Sequence, residues 1–131
     1  MEEKFKIQIV TPEKIVFDNE TEMATLPSYE GNMDILKNHI PIITFLKPGI
    51  VKIKKNDENH DSFFVEDGIV EFFNNYLSIL SSTAINTQNI QKTFLEDLNK
   101  VTEEKLKTNN LSDEERYLLN HKLDTIKSIN I

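Results

Sequence analysis

The apolar residues of this chain change period part-way along it, and that change limits the possible folds more than any other feature. From residue 4 to about residue 82 they recur at every second position; after Ala84-Ile85 they recur every third or fourth. Period two marks strands with one face in a core, and period 3.6 marks helices with one apolar stripe. In "KFKIQIV", Phe5, Ile7 and Ile9 alternate with Lys4, Lys6 and Gln8, and "GIVKIKK" sets Val51 and Ile53 against Lys52 and Lys54. The run "DSFFVEDGIVEFFNNYLSILSS" reads as three short strands, broken at Glu66-Asp67-Gly68 and at Asn74-Asn75. Asparagine accepts the positive φ that a two-residue hairpin turn needs. Pro12, Pro27, Pro41 and Pro48 fall between the strand-like runs, where a missing N–H costs no ladder bond. Roughly ten short strands separated by turn signals predict an antiparallel β-sandwich over residues 1–85.

Residues 86–131 carry the helical period. Ile90, Phe94, Leu98 and Val101 form a stripe that Leu95 and Leu106 widen. Glu96 with Lys100 and Glu103 with Lys107 are acid-to-base pairs four apart, the order that supports a helix. Asn109-Asn110 interrupts it. Ser112 followed by Glu115 has capping-box spacing, and Asp113, Glu114 and Glu115 place negative charge at the positive end of a second helix dipole. That helix has Leu119, Leu123 and Ile126 on its apolar face, with Leu118 and Ile129 beside it. Two helices of roughly 20 residues joined by a short turn are expected to pair as an antiparallel αα-hairpin.

Composition narrows the function. The 131 residues contain no cysteine, which removes disulfides, thiolate metal sites and a cysteine nucleophile. Fifteen basic against 22 acidic side chains leave a net charge of −7, a poor match for nucleic acid or for an anionic lipid surface. No apolar run approaches the ~20 residues of a spanning helix, and "MEEKFKIQIV" lacks the start of a secretory signal. The expectation is a soluble chain whose association with any membrane runs through a partner. Three isolated glycines, Gly31, Gly49 and Gly68, build neither a dinucleotide fingerprint nor a phosphate loop. His39, His60 and His121 fall in a turn, a polar loop and the exposed face of the second helix, without ligand-like spacing. No serine stands in a nucleophile elbow. Neighbouring acids such as Glu103-Glu104 read as solvated helix faces. The chain is therefore expected to be no enzyme, with no cofactor and no metal.

The stretch "EGNMDILKNHIPIITFLKPGIVKI" resembles the signature of the epsilon subunit of bacterial F-type ATP synthases, called delta in mitochondria. Glu30, Gly31, Ile35, His39, Pro41, Thr44, Leu46, Lys47, Pro48 and Gly49 match that pattern. "FVEDGIVEF" and "LSILSSTAI" resemble the family's later strands and its lead into the helices. The likeness spans nearly the whole chain. It departs at Asp34, Lys37 and Asn38, where the family has glycine, proline and glycine; asparagine can take the left-handed conformation in place of a glycine. It departs again at Gln91 and Phe94, where nucleotide-sensing members carry an acid and an arginine.

The resemblance implies a non-catalytic central-stalk subunit that couples rotation of an ion-driven c-ring to ATP synthesis. Its partners would be the gamma subunit and the c-ring, at the cytoplasmic face of a bacterial inner membrane. Glu30, Gly31, Asn32 and His39 would meet these partners, with Glu30, Gly31 and His39 in loops near the c-ring end. Arg116, Lys122 and Lys127 would be the contacts of the helices with the catalytic alpha and beta subunits. Set against Asp113, Glu114, Glu115 and Asp124, these cations leave the second helix slightly negative, which implies weak or absent self-inhibition. Two alternatives stay open: an ATP-sensing hairpin, and an unrelated β-sandwich adaptor.

Overall fold

The computed structural model describes residues 3–129. Ten strands come first: β1 (Phe5–Val10), β2 (Ile15–Thr21), β3 (Met23–Ser28), β4 (Gly31–Leu36), β5 (Ile42–Leu46), β6 (Gly49–Lys54), β7 (His60–Val65), β8 (Gly68–Phe73), β9 (Tyr76–Leu80) and β10 (Ala84–Asn86). A single 3-10 turn (Thr87–Asn89) leads to helices α1 (Lys92–Leu106) and α2 (Asp113–Ser128). The expected breaks at Glu66-Asp67-Gly68 and Asn74-Asn75 separate β7, β8 and β9; Gly68 itself opens β8, and Asn74 and Asn75 adopt φ of 51° and 58°.

The strands form two layers, β4-β3-β6-β7-β10 and β5-β8-β9-β1-β2, joined where Ser28 at the end of β3 pairs with Leu46 at the end of β5. Alternate side chains from both layers fill one core, in which Phe5, Ile7, Leu26, Val51, Phe63 and Phe72 are buried. Phe5 and Phe72 meet edge to face at 5.5 Å, a preferred aromatic geometry. Neighbours joined by short turns run antiparallel. β1 and β9, which no turn connects, run parallel. Pro27 lies inside β3, not between strands; it sits where β3 passes from β6 (Ala24, Thr25) to β5 (Ser28).

The hairpin covers one outer face of this sandwich. β7 shows why: Phe63 and Val65 point into the core, whereas Phe64 points the other way, into a second cluster with Ile90, Leu95 and Ile126. Ile50 of β6 and Ile85 of β10 complete the sheet side of that cluster. The helices have 15 and 16 residues, shorter than expected, because Ile90 stays extended (φ −74°, ψ 129°) and packs as part of the approach to α1. The stripe of α1 is also turned from the expected one. Thr102 is buried and Val101 is 46% exposed, since Leu95, Leu98, Thr102 and Leu106 follow the 3.6-residue period from the position α1 takes on the sheet. Thr102 Oγ1 donates to the Leu98 carbonyl at 2.7 Å, so its burial leaves no hydroxyl unpaired. The capping box of α2 is formed: Glu115 N–H donates to Ser112 Oγ at 3.0 Å, and Ser112 N–H to Glu115 Oε1 at 3.1 Å.

Candidate functional site: the uncovered face of the sandwich and its two ends

Glu30 occupies the tight turn between β3 and β4. Ser28 Oγ donates to the Gly31 carbonyl at 2.5 Å, and Gly31 has φ +124°, a backbone that side chains rarely tolerate. Glu30 and Asn32 are exposed there. His39 is at the other end of β4, about 20 Å away by strand rise. The expectation that Glu30, Gly31 and His39 share one end is therefore corrected: a whole strand separates them.

At the His39 end two left-handed asparagines brace each other. Asn38, with φ 66°, donates its N–H to Asn75 Oδ1 at 2.7 Å, and Asn75 Nδ2 donates to Asn38 Oδ1 at 3.2 Å. The departure from the family's glycine thus retains the backbone that glycine permits. His39 N–H donates to the Leu36 carbonyl, and its Nδ1 lies 2.7 Å from the Ile40 carbonyl. A carbonyl only accepts, so that nitrogen carries the proton. The ring stands edge-on to Phe72 at 5.9 Å.

Between the two ends lies the outer face of the β5-β8-β9-β1-β2 layer. Its β5, β8 and β9 part is largely apolar, and among the described residues no helix lies over it. Ile43 is 69% exposed, Phe45 56% and Phe73 57%, with Ile69, Tyr76 and Leu80 also exposed beside them. At the Glu30 end the face deepens into a groove of about 630 Å³, lined by Val10, Pro12, Tyr29, Phe45, Ile69 and Leu80 with Asp67 and Ser82 at its polar side. Burial pushes the Asp67 carboxyl upward, but hydrogen bonds from Ser82 and Ser81 outweigh it and hold the group below its ordinary value.

On the hairpin side, two of the three sequence-predicted cations, Lys122 and Arg116, have partners within the chain. Lys122 pairs with Glu66 at 3.0 Å, with side chains 13% and 25% exposed. Arg116 Nη1 is 3.4 Å from the Leu106 carbonyl, and Lys127 is exposed in the last turn of α2. His121 is a correction: it is half-buried, not on an exposed face, with its ring 4.4 Å from that of Tyr117. Burial lowers its pKa, the nearby Lys47 ammonium lowers it further, and Asp124 opposes both. His60 is exposed as expected but opens β7 and is not in a loop. Gln91 is exposed before α1 while Phe94 packs against the Phe64 cluster, so neither supplies a charge there. No group of three or more metal-ligating side chains occurs among the described residues.

Residues 4–87 match the family described as ATP synthase, Delta/Epsilon chain, beta-sandwich domain. The chain is 47% identical over 133 residues to the ATP synthase epsilon chain of Pelagibacter ubique (strain HTCC1062), covering 99% of this chain and 100% of that one. It belongs to the ATP synthase delta/epsilon family. The epsilon chain of Rickettsia bellii (strain OSU 85-389) is 34% identical over 104 residues, covering 78% of this chain and 94% of its own. Among solved structures, a chain of the Euglena gracilis mitochondrial ATP synthase c-ring assembly superposes with a TM-score of 0.71 at 15% identity, covering 95% of this chain and 78% of that one. A chain of the Tetrahymena thermophila mitochondrial ATP synthase central stalk/c-ring gives 0.63 at 15% identity, covering 96% and 93%. These two likenesses carry the β-sandwich and hairpin fold. As a delta/epsilon family member the chain is a non-catalytic subunit and not an enzyme. No helix among its described residues is long and apolar enough to cross a membrane.

Sequence reasoning about this family member passed over the uncovered face. A signal for it exists in "GIVEFF", where Val70 and Phe72 alternate with Ile69 and Phe73. A strand apolar at both parities needs a cover on both faces.

Proposed function

We propose that the chain is the epsilon subunit of an ATP synthase central stalk, held against the gamma subunit and the c-ring and coupling ring rotation to ATP synthesis. The observation that carries this reading is the asymmetry of the sandwich. One outer face is covered by the chain's own hairpin, whereas the other exposes Ile43, Phe45, Ile69 and Phe73. Exposed apolar faces of this kind mark interaction sites, and we assign this one to gamma. The Glu30-Gly31-Asn32 turn is assigned to the polar loops of the c-ring, where Gly31 permits close backbone approach. His39, at the opposite end, is assigned to the gamma side. A close-packed sandwich has low compressibility, which suits a part that transmits torque.

The membrane relation in this reading is peripheral, through the complex, at the cytoplasmic face of a bacterial inner membrane. Arg116, Lys122 and Lys127 are the groups through which the hairpin would reach the alpha and beta subunits. With Lys122 held by Glu66, self-inhibition is expected to be weak. The full chain, tagged at its N-terminus, tests the reading in a pull-down from detergent-solubilised membranes of the native organism. Gamma, the catalytic subunits and the c-ring are expected to survive a salt wash. A folded chain that retains none of them overturns the assignment.

A further inference from the structure

Cross-strand register arranges the uncovered face in rows. One row is apolar across all five strands: Phe45, Ile69, Leu80, Val10 and Ile15. The next runs Ile43, Glu71, Ser78, Gln8 and Asp18. A third has Phe73 opposite Tyr76, then Lys6 and Glu20. On the β5, β8 and β9 part of the face, Glu71 is the one charged side chain among these rows. Ile43 lies opposite it on β5, Ser78 opposite it on β9, and Ile69 and Phe73 flank it on β8. It also lines a shallow depression of about 370 Å³ whose other walls are Pro41, Ile42, Ile43, Phe72 and Phe73. Among the described residues its carboxylate has no ion-pair partner.

A partner that covers Ile43, Ile69 and Phe73 also strips water from Glu71. A desolvated, unpaired carboxylate costs more than the surrounding apolar contact returns, whereas a paired and hydrogen-bonded one is tolerated. We propose that this face receives an apolar surface of the gamma subunit that presents one guanidinium or ammonium to Glu71. The pair sets the register of docking and discriminates against surfaces without that cation. Phe73 and Tyr76 beside the carboxylate favour arginine, whose planar head stacks on aromatic rings while bonding a carboxylate. This inference rests on the stalk reading above.

The test uses the full chain and the gamma-containing catalytic core of the same organism, with affinity measured at low and high salt. Glu71→Gln is expected to weaken binding ~30-fold or more and to flatten its salt dependence. Glu71→Lys is expected to weaken it further, with recovery when the facing gamma cation is changed to Glu. Phe45→Asp, in the apolar row, is expected to abolish binding. Glu71 is exposed, so these changes leave the core untouched, and far-ultraviolet circular dichroism checks the fold. If both Glu71 variants bind like wild type while Phe45→Asp does not, the stalk reading holds and the Glu71 pairing is overturned. If wild type does not bind the core, or Phe45→Asp binds as well as wild type, the assignment of this face to gamma fails and the Glu71 pairing with it.

Discussion

At Gly49 a single missing methyl decides how β3 and β6 meet. A Cβ built there would lie 2.6 Å from Pro27 Cβ and 2.9 Å from its Cγ, and a proline ring cannot swing aside as a flexible side chain can. Gly49→Ala is expected to destabilise the sandwich by about 1–3 kcal/mol, seen as a lower urea midpoint with an unchanged m-value. His121 acts at the same scale through charge. Its folded-state pKa lies below the ordinary 6.5 because burial and the Lys47 ammonium disfavour the imidazolium. The docked hairpin therefore binds protons less readily than the undocked chain. The stability contributed by neutral His121 is present above about pH 6.5 and is lost as pH falls below that value toward the lower folded-state pKa. The groups around it are Tyr117 and Asp124 on α2 and Lys47 on the sandwich; Asp67, whose pKa is lowered from 3.8, loses its contribution only at more acid pH. Amide-exchange protection of α2 is expected to fall between pH 7.5 and 5.5, by less in His121→Gln. An unchanged slope in that variant would assign the effect to another group. Neither effect could be read from the chain, because Pro27 beside Gly49 and Lys47 beside His121 come from distant segments.

The elements themselves were largely legible. Period two located β1, β6, β7, β8 and β9; the Asn74-Asn75 turn and the Ser112–Glu115 capping box formed where local chemistry placed them, and the helices follow in the expected order. Errors arose where a neighbour overrides the local signal. Pro27 was expected outside a strand, yet a change of partner strand accommodates it; Val101 was expected inward, yet the rotation of α1 on the sheet turns Thr102 inward in its place. The contact that joins the elements is Phe64, fully buried between β7 and the hairpin. Phe64→Ala is expected to cost about 3–5 kcal/mol, concentrated on hairpin docking. Hydrogen exchange should then speed up across α2 while β8 and β9 keep their protection. A uniform loss across both would mean that the sandwich and hairpin open as one unit.

For the molecule as a whole, the proposed function rests on which surfaces the fold leaves uncovered. The same two-layer core supports a face closed by the chain's own helices and a face of Ile43, Phe45, Ile69 and Phe73 left open around Glu71. It also places the Glu30 turn and the His39 loop at opposite ends, and it commits Lys122 to Glu66. The family-like stretch at 30–49 names candidate contact residues one by one, but their arrangement could not be read from it. The amino-acid sequence by itself determined the kinds of element, their order, most turns and the family, because periodicity, capping and left-handed asparagines depend on residues a few positions apart. Only the tertiary structure decided which outer face is covered, which ends the loops share and what surrounds Glu71 and His121. Those outcomes depend on strand partners and helix docking between residues tens of positions apart, and a local pattern cannot encode which distant surface will meet it.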